Sequence, residues 1–506
     1  MKGFRVCCLA LLFVIVLSGC GSNNPTPNEQ NSLPRFEKAA CPFKPARGMT
    51  EGKDFTCGYL LVPEDRTDPK SKTIKLAVGI FKPVKTPAQP DPVIFLQGGP
   101  GGGGLQDFAP FMDKDLRGQF APNRDLILID QRGTGYSQPS LACPEEFKQE
   151  EDTASQDLTR DQGVQLEVQV MQKCYNRLKQ AGINLDAYTT VNNAHDISDL
   201  IKALKYKEAN VYGVSYGTRL ALTVMHDFPQ GVRSVILDST VPTQLNLFTT
   251  LATQFTRAFD VLFNGCANQL TCNLRYPNLK QTFYQLVDQL NAKPITIQSK
   301  SLNNNKTYTV LVNGDSLVNW LFSALYATQL ISLLPKAIYD LKGGDSTILQ
   351  ETFATLAYNP DFSQAMYYAV ECGEDAAFTS LQETTTMSVI LPPQAKAVAD
   401  EDFQTTFGIC GFWNAQTVPS DQKQPVTSDL PTLFTVGEYD PITPPANDQL
   451  AKQTLSHSYL YQFPGTGHGV IYTNDCPNSI MNAFLDNPQQ APNTSCIADM
   501  TEPLFL

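Results

Sequence analysis

Short apolar runs alternate with amphipathic helical stretches over the first half of the chain, and this alternation predicts an α/β protein with a mostly parallel sheet. A strand that both faces of a sheet bury shows as a continuous apolar run bounded by turn residues. Six segments fit that description, at residues 58–62, 75–81, 93–96, 126–129, 210–212 and 234–237.

The pattern changes after about residue 242. Long stretches with helical periodicity predict helices at residues 251–263, 279–290, 316–326 and 330–341, with a hairpin at 294–298 and 307–312. Strand-like runs return at 432–436 and 458–463, with a helix starting near residue 446. We therefore expect an α/β core made of residues 41–241 and 425–506, interrupted by a mainly helical cap at 242–424.

The N-terminus has the pattern of an export signal. Lys2 and Arg5 precede an apolar run at residues 6–17, which is too short to span a membrane as a helix. The run ends in Leu-Ser-Gly-Cys20, a lipobox-like site, so we expect a signal peptide at 1–19, a lipid on Cys20 and a flexible linker to residue 40. The membrane contact would be this anchor alone. The alternative is ordinary secretion, with Cys20 merely ending the signal.

Composition narrows the class of protein. The 506 residues are 42% apolar with a formal net charge of −12, which predicts a folded globular protein and no nucleic-acid partner. Ten of the 13 cysteines follow Cys20, an even number suited to an oxidising compartment. Neighbours in sequence would pair as 41–57, 143–174, 266–272, 372–410 and 476–496, although ten cysteines allow roughly nine hundred connectivities. Metal-site spacings are missing, so we expect no metal and no cofactor.

The pattern G-x-S-x-G occurs once in a strand-to-helix context, at residues 213–217. Such a turn exposes the serine hydroxyl above the sheet, which makes Ser215 the candidate nucleophile. A structural serine in a glycine turn is the alternative.

A serine nucleophile needs an imidazole base and an acid that orients it. Of the four histidines, His468 alone lies in a glycine-rich loop directly after a predicted strand, so we expect it to be the base. Asp440, in the turn after the strand at 432–436, is the expected acid. Asp238, at the end of the preceding strand, is its competitor.

Acyl transfer also requires donors for the developing oxyanion. We expect the N–H of Tyr216, directly after the nucleophile, and the N–H of Gly99, with Gly98 in reserve; Pro100 has no N–H to donate. A phosphate-binding loop is the alternative for this glycine run. It lacks the Lys-Ser/Thr of a P-loop.

Five motifs in order resemble the proline iminopeptidases and, more closely, the tripeptidyl aminopeptidases. They are QGGPG at 97–101, DQRGTGYS at 130–137, GVSYG at 213–217, GEYDP at 437–441 and GHG at 467–469. The segment CGYLLVP at 57–63 adds to the resemblance, which covers about residues 41–500. One departure is Gln97, where many relatives have His. The resemblance implies an α/β-hydrolase fold and an exopeptidase that acts on free peptide N-termini.

Recognition of a substrate ammonium needs an anion. The segment ECGED offers Glu371, Glu374 and Asp375, and relatives carry a similar cysteine-acid segment. A solvated acidic turn is the alternative. We therefore expect a serine aminopeptidase that releases residues or tripeptides from peptide substrates through an acyl-enzyme. An esterase or lipase of the same fold, or a non-catalytic peptide-binding lipoprotein, are the alternatives.

Overall fold

A computed structural model describes residues 32–501 and 503–506. The predicted signal peptide, the lipid site at Cys20 and most of the predicted linker lie outside these residues. The described strands, in chain order, are β1 Arg35–Ala39, β2 Phe55–Pro63, β3 Thr73–Phe81, β4 Val93–Leu96, β5 Leu126–Ile129, β6 Ala209–Val214, β7 Val232–Asp238, β8 Ile295–Lys300, β9 Thr307–Val312, β10 Thr432–Gly437 and β11 Ser458–Phe463.

Nine of these strands form one sheet in the order β1-β2-β3-β5-β4-β6-β7-β10-β11. The pairs from β5 to β11 are parallel, and β1, β2 and β3 extend the sheet with antiparallel pairs. The predicted fold class is thereby confirmed. Because parallel strands end at the same edge of a sheet, the loops after β4, β6, β7, β10 and β11 converge there.

Eighteen α-helices accompany the strands in the part of the chain that the structure describes. Before β7 they are α1 Gly104–Phe108, α2 Lys114–Gln119, α3 Pro144–Thr153, α4 Arg160–Gln180, α5 Thr190–Ala203 and α6 Tyr216–Asp227. Between β7 and β10 they are α7 Leu247–Asn268, α8 Leu270–Arg275, α9 Leu279–Ala292, α10 Gly314–Ala324, α11 Thr328–Ile331, α12 Leu334–Lys342, α13 Thr347–Ala357, α14 Gln364–Glu374, α15 Leu381–Met387 and α16 Pro393–Trp413. The last two are α17 Pro445–Lys452 and α18 Asp475–Asp486.

Both faces of the sheet are covered, as an apolar parallel sheet requires. One face packs against α5, α6 and α17 through side chains such as Ile197, Leu220 and Ala451. The other packs against α1 and α18, where Leu105 and Phe484 are fully buried. These two layers hold the strand ends rigid beneath the loops.

The helices between β7 and β10 surround an apolar cluster of their own. Aromatic side chains of α7 and α9 form its centre, with Phe259 and Phe283 in edge-to-face contact at 5.6 Å between centroids. The hairpin β8–β9 packs on α13 at the margin of this cluster. This insertion leaves the sheet at the carboxyl end of β7, the edge that carries the loops, and the chain returns at the amino end of β10, which is parallel to β7 and begins at the opposite edge.

Two elements differ from the sequence expectation. Strand β1 lies within the stretch assigned to the linker; its five residues pair antiparallel with β2, a long-range contact that its short sequence does not announce. The single helix expected at 330–341 is two helices, because Pro335 lies in the first turn of α12, where a proline is tolerated, but would interrupt a longer helix.

Five disulfides join Cys41–Cys57, Cys143–Cys174, Cys266–Cys272, Cys372–Cys410 and Cys476–Cys496, which confirms the predicted pairing. Disulfides in this number are typical of exported proteins. Within residues 32–501 and 503–506, none of the helices combines the length and apolarity that crossing a membrane demands.

Candidate active site

Ser215 occupies a strained turn between β6 and α6. Its φ of 57° and ψ of −128° lie outside the regions that L-residues prefer, and such strain is characteristic of a nucleophile elbow. Close packing explains the glycine that follows: a Cβ on Gly217 would lie 2.1 Å from the carbonyl oxygen of Leu96 in β4. Only glycine therefore lets α6 start so near the sheet edge.

His468 and Asp440 meet at the same edge, in the loops after β11 and β10. The Nδ1 atom of His468 lies 2.9 Å from Oδ2 of Asp440. Asp440 is fully buried, and its Oδ1 accepts hydrogen bonds from the N–H groups of Ile442 (3.1 Å) and Thr443 (2.8 Å). A carboxylate held in this way fixes the imidazole orientation and leaves Nε2 facing away from it.

The charges of this pair favour each other. Burial disfavours the imidazolium, but the charge and the hydrogen bond of Asp440, together with the charge of Asp238, outweigh burial and raise the pKa of His468 above the usual value. Burial likewise disfavours the carboxylate, and His468 together with the N–H donors lowers the pKa of Asp440. The site can therefore stabilise an imidazolium when His468 accepts a proton.

Thr443 is a site residue that the sequence reasoning missed. Its hydroxyl donates to Oδ2 of Asp440 at 2.9 Å and lies 3.1 Å from Nδ1 of His468. Threonine three residues after an aspartate is a common turn pattern, so the sequence carries no specific signal for it.

Asp238 has a different role from the one considered for it. Its carboxylate accepts from the Tyr212 hydroxyl at 2.5 Å and from the N–H groups of Val470 and Ile471. Asp238 thus secures the loop that follows His468 and makes no hydrogen bond to the imidazole, so the contact with the base belongs to Asp440.

The expected oxyanion loop runs beside the serine. A Cβ on Gly98 would lie 2.7 Å from the Cβ of Ser215. The Gly98 N–H is already engaged by its neighbour, the Oε1 atom of Gln97, at 3.0 Å. Within the part of the chain that the structure describes, the N–H of Gly99 has no acceptor. Tyr216 opens α6, where N–H groups lack helical partners.

Gln97 connects this loop to two side chains that the sequence reasoning did not single out. Its Nε2 donates to Asp107 at 3.0 Å, and its carbonyl oxygen accepts from Nε2 of Gln131 at 2.8 Å. Burial raises the pKa of Asp107 to about 6. Gln97, at the position where many relatives have His, therefore links the oxyanion loop to Asp107 and Gln131.

Ser215 and His468 line one cleft of about 380 Å³. The sheet edge contributes Gln97, Gly99 and Thr443, and the insertion contributes Leu247, Tyr326 and Glu371. The ring of Tyr326 packs edge-on against the ring of His468, with 4.9 Å between ring centroids. The backbone carbonyl oxygen of Tyr326 accepts a hydrogen bond from the backbone N–H of His468 at 3.1 Å. No hydrogen bond joins Ser215 Oγ to His468 in the described residues.

The three carboxylates of the acidic segment at the C-terminal end of α14 have different surroundings. Glu374 accepts from the N–H and hydroxyl of Thr190, at 2.8 and 2.7 Å, and lies away from the cleft. Asp375 is bound by Arg219 at 3.0 Å and by Lys423 at 2.5 Å. Of the three carboxylates, only Glu371 reaches the cleft.

Glu371 is 2% exposed and makes neither a side-chain hydrogen bond nor an ion pair with any residue between 32 and 501 or 503 and 506. Burial, reinforced by the nearby charge of Asp375, raises its pKa to about 8. A buried carboxylate without a partner is costly for the fold, and this cost makes Glu371 a candidate for binding a positively charged ligand.

The chain matches the family model described as alpha/beta hydrolase fold over residues 91–475, and it belongs to that family. It is 26% identical over 455 residues to serine protease Hip1 of Mycobacterium tuberculosis (strain ATCC 25618 / H37Rv), covering 85% of this chain and 84% of that one. It is 27% identical over 459 residues to the tripeptidyl aminopeptidase of Streptomyces lividans, covering 86% and 82%. The family resemblance expected from the five motifs is thereby confirmed.

A solved esterase from Thermogutta terrifontis also aligns, at 14% identity and a TM-score of 0.36, over 85% of this chain and 99% of that one.

Proposed function

We propose that the protein is a serine aminopeptidase that releases N-terminal residues or short peptides through an acyl-enzyme. The observation that carries this proposal is the cleft itself. Ser215 at a strained elbow, His468 with Asp440 bound to its Nδ1, and Glu371, which has no partner among the described residues, are brought together there, and Ser215, His468 and Glu371 line the same cavity. The names of the two relatives, a serine protease and a tripeptidyl aminopeptidase, support it.

In the proposed reaction, Ser215 Oγ attacks the scissile carbonyl while Nε2 of His468 takes the hydroxyl proton. The imidazolium then gives this proton to the leaving amine, and the C–N bond breaks. Water, deprotonated in turn by His468, hydrolyses the ester and restores Ser215. The Ser215 hydroxyl must turn towards Nε2 for the first step, a contact that often tightens only when substrate binds.

The remaining groups of the site would stabilise the charges that the substrate brings or that develop during the reaction. Asp440 stabilises the imidazolium through its 2.9 Å bond to Nδ1. The N–H groups of Gly99 and Tyr216 would hold the oxyanion, because neither has an acceptor among the described residues and the Gly99 loop borders Ser215. Glu371 would bind the substrate ammonium, whose charge compensates the buried carboxylate. Such a requirement restricts the enzyme to free N-termini.

Hydrolysis of peptide anilides beside p-nitrophenyl esters tests the activity. We expect turnover of anilides with free N-termini, and no turnover by Ser215→Ala. Ester turnover without any anilide turnover would assign the protein to the esterases. Failure of wild-type protein to react with a fluorophosphonate probe would favour the non-catalytic, peptide-binding alternative.

We also propose that the exported protein is held at a bacterial envelope membrane by a lipid on Cys20, and that residues 242–424 act as the substrate-selecting cap. The lipobox-like sequence ending at Cys20 supports the anchor. Metabolic labelling with an alkyne fatty acid tests it: label should appear on wild type and be lost in Cys20→Ala. Label-free wild-type protein recovered in the medium would contradict the anchor.

A further inference from the structure

A second cavity of about 350 Å³ adjoins the catalytic cleft. The two share five wall residues: Gly99, Leu247, Tyr326, Glu371 and Ile442. Ser215 and His468 line the first cavity only. We call the second cavity the distal chamber. Glu371 stands at the junction, so a peptide extending from Ser215 past Glu371 would enter it.

Aromatic rings dominate the chamber walls. Helices α7, α10, α14 and α16 contribute Phe248, Phe322, Tyr367, Tyr368 and Phe403, and the turn after α10 contributes Tyr326. Aromatic faces attract both apolar side chains and cations, the latter through the ring quadrupole. A wall of this kind fits the end of a peptide that carries an apolar side chain and a positive charge.

Asp402 supplies an anion inside the chamber. It lies on α16, and its side chain is exposed in the cavity. No hydrogen bond or ion pair links it to any residue that the structure describes, whereas Asp400, two residues earlier, is bound by Lys396 and by Ser388 at 2.6 Å.

The two cations whose charges act on Glu371 already have an anionic partner. Arg219 and Lys423 both bind Asp375, and Arg219 also donates to the carbonyl oxygen of Leu245 at 3.0 Å. Two carboxylates, one almost fully buried at the junction and one in the chamber beyond it, therefore have no cationic partner among the described residues.

We propose that the distal chamber binds a primary ammonium group at the far end of the acyl part of the substrate, with Asp402 as its counter-ion. The inference rests on the proposed peptidase function and extends it. Glu371 would serve substrates whose ammonium stops at the junction, and Asp402 those long enough to pass it. The ammonium has two possible sources with one chemistry: the α-amino group or a lysine side chain.

The test compares Asp402→Asn with Asp400→Asn, which removes the same charge from the same helix outside the chamber. Substrates are one-, two- and three-residue anilides with free N-termini, their N-acetylated forms, and N-acetyl tripeptides that begin with lysine or norleucine. We expect Asp402→Asn to lower kcat/KM about 10- to 100-fold for the longest substrate that carries an ammonium, mainly through KM. Asp400→Asn should leave it unchanged.

The pattern across substrates assigns the source of the ammonium. If Asp402→Asn lowers kcat/KM only for substrates with a free N-terminus, the bound ammonium is the α-amino group. If it lowers kcat/KM only for N-acetyl substrates that begin with lysine, the bound ammonium is the lysine side chain. An equal loss on acetylated norleucine substrates, or no loss on any substrate, would overturn the inference. Unchanged fluorophosphonate labelling of Asp402→Asn verifies that the catalytic groups are intact.

Binding separates this inference from the proposed function. In a Ser215→Ala background, calorimetry should show that a tripeptide amide binds more tightly than its N-acetyl form and that Asp402→Asn removes the difference. If wild-type protein cleaves no anilide but this binding difference is present, the peptidase function fails and the chamber assignment stands. Absence of the difference, with anilides cleaved normally, refutes the chamber assignment alone.

Discussion

Arg219 of α6 donates a hydrogen bond to Asp375 at 3.0 Å, and this contact neutralises one carboxylate of the acidic segment. The guanidinium comes from the helix that starts directly after Ser215, and the carboxylate comes from the insertion. Their pairing fastens the insertion to the catalytic core. Glu371, four residues earlier, stays unpaired at the cleft.

Two substitutions at these carboxylates should have opposite effects on stability. Asp375→Asn leaves Arg219 and Lys423 without their buried anion, and we expect the free energy of unfolding to fall by about 3–5 kcal/mol. Glu371→Gln removes an unpaired buried carboxyl group, so the free energy of unfolding should be unchanged or higher. Urea unfolding followed by tryptophan fluorescence measures both. Equal destabilisation by the two variants would contradict the different roles.

Glu371 should give peptide hydrolysis a pH dependence that ester hydrolysis lacks. Its pKa is raised to about 8, so the carboxylate that binds an ammonium forms only as the pH rises towards that value. For a free peptide anilide, kcat/KM should therefore increase between pH 6 and about 8, with an added step absent for a neutral ester. Glu371→Gln should abolish the added step. Identical profiles for both substrates would contradict this assignment.

The pH dependence of ester hydrolysis should reflect the titration of His468 alone. Asp440 raises the pKa of His468, and the imidazole must be neutral to act as a base, so kcat/KM should rise through a midpoint above the usual 6.5. Asp440→Asn should lower that midpoint and reduce kcat by several orders of magnitude. A midpoint that stays in place in Asp440→Asn would point to another titrating group.

The Thr443 hydroxyl should contribute through Asp440. Thr443→Val removes a 2.9 Å hydrogen bond to Oδ2 while preserving side-chain shape, and we expect kcat to fall about 5- to 20-fold, equivalent to roughly 1–2 kcal/mol. Thr443→Ser is the matched control and should retain most of the activity. Steady-state kinetics on a neutral ester measures this effect without involving the ammonium site.

The disulfide Cys372–Cys410 joins α14, which carries Glu371, to α16, which carries Asp402. Replacing both cysteines by serine should loosen the distal chamber and cost about 2–4 kcal/mol of stability. We expect KM for tripeptide anilides to rise while ester turnover changes little. The double replacement at Cys476 and Cys496 is the control, because that bond lies outside the insertion. Equal changes in KM would contradict a local effect.

Much of the core was accessible from periodicity. The strands predicted at 93–96, 126–129 and 458–463 have the bounds observed for β4, β5 and β11. For β4 and β5 the reason is that buried parallel strands are continuous apolar runs between turn residues. Strand β1 was missed because its stability comes from pairing with the edge of β2. The break between α11 and α12 was missed because the apolar periodicity continues through it, and only Pro335 indicates that one helix ends there and another begins.

The residues that surround the proposed catalytic groups were less accessible. Thr443, Asp107 and Asp402 have no motif of their own, and each acquires its significance from a contact or cavity formed by distant segments. Among the acids, the sequence could not separate Asp440 from Asp238 with certainty, because both follow strands at the same sheet edge. Their hydrogen bonds separate them.

The amino-acid sequence by itself determined the alternation of strands and helices, the serine turn, and the order of acid and histidine, because each depends on local pattern. For the cysteines the sequence offered one simple pairing among many, and the structure shows that pairing. Only the tertiary structure decided what Glu371, Glu374 and Asp375 do. These carboxylates lie within five residues, yet Thr190 holds one, Arg219 holds another, and the third is left facing the cleft. The chemistry of a buried charge depends on the partner that packing brings to it, and those partners lie more than 150 residues away.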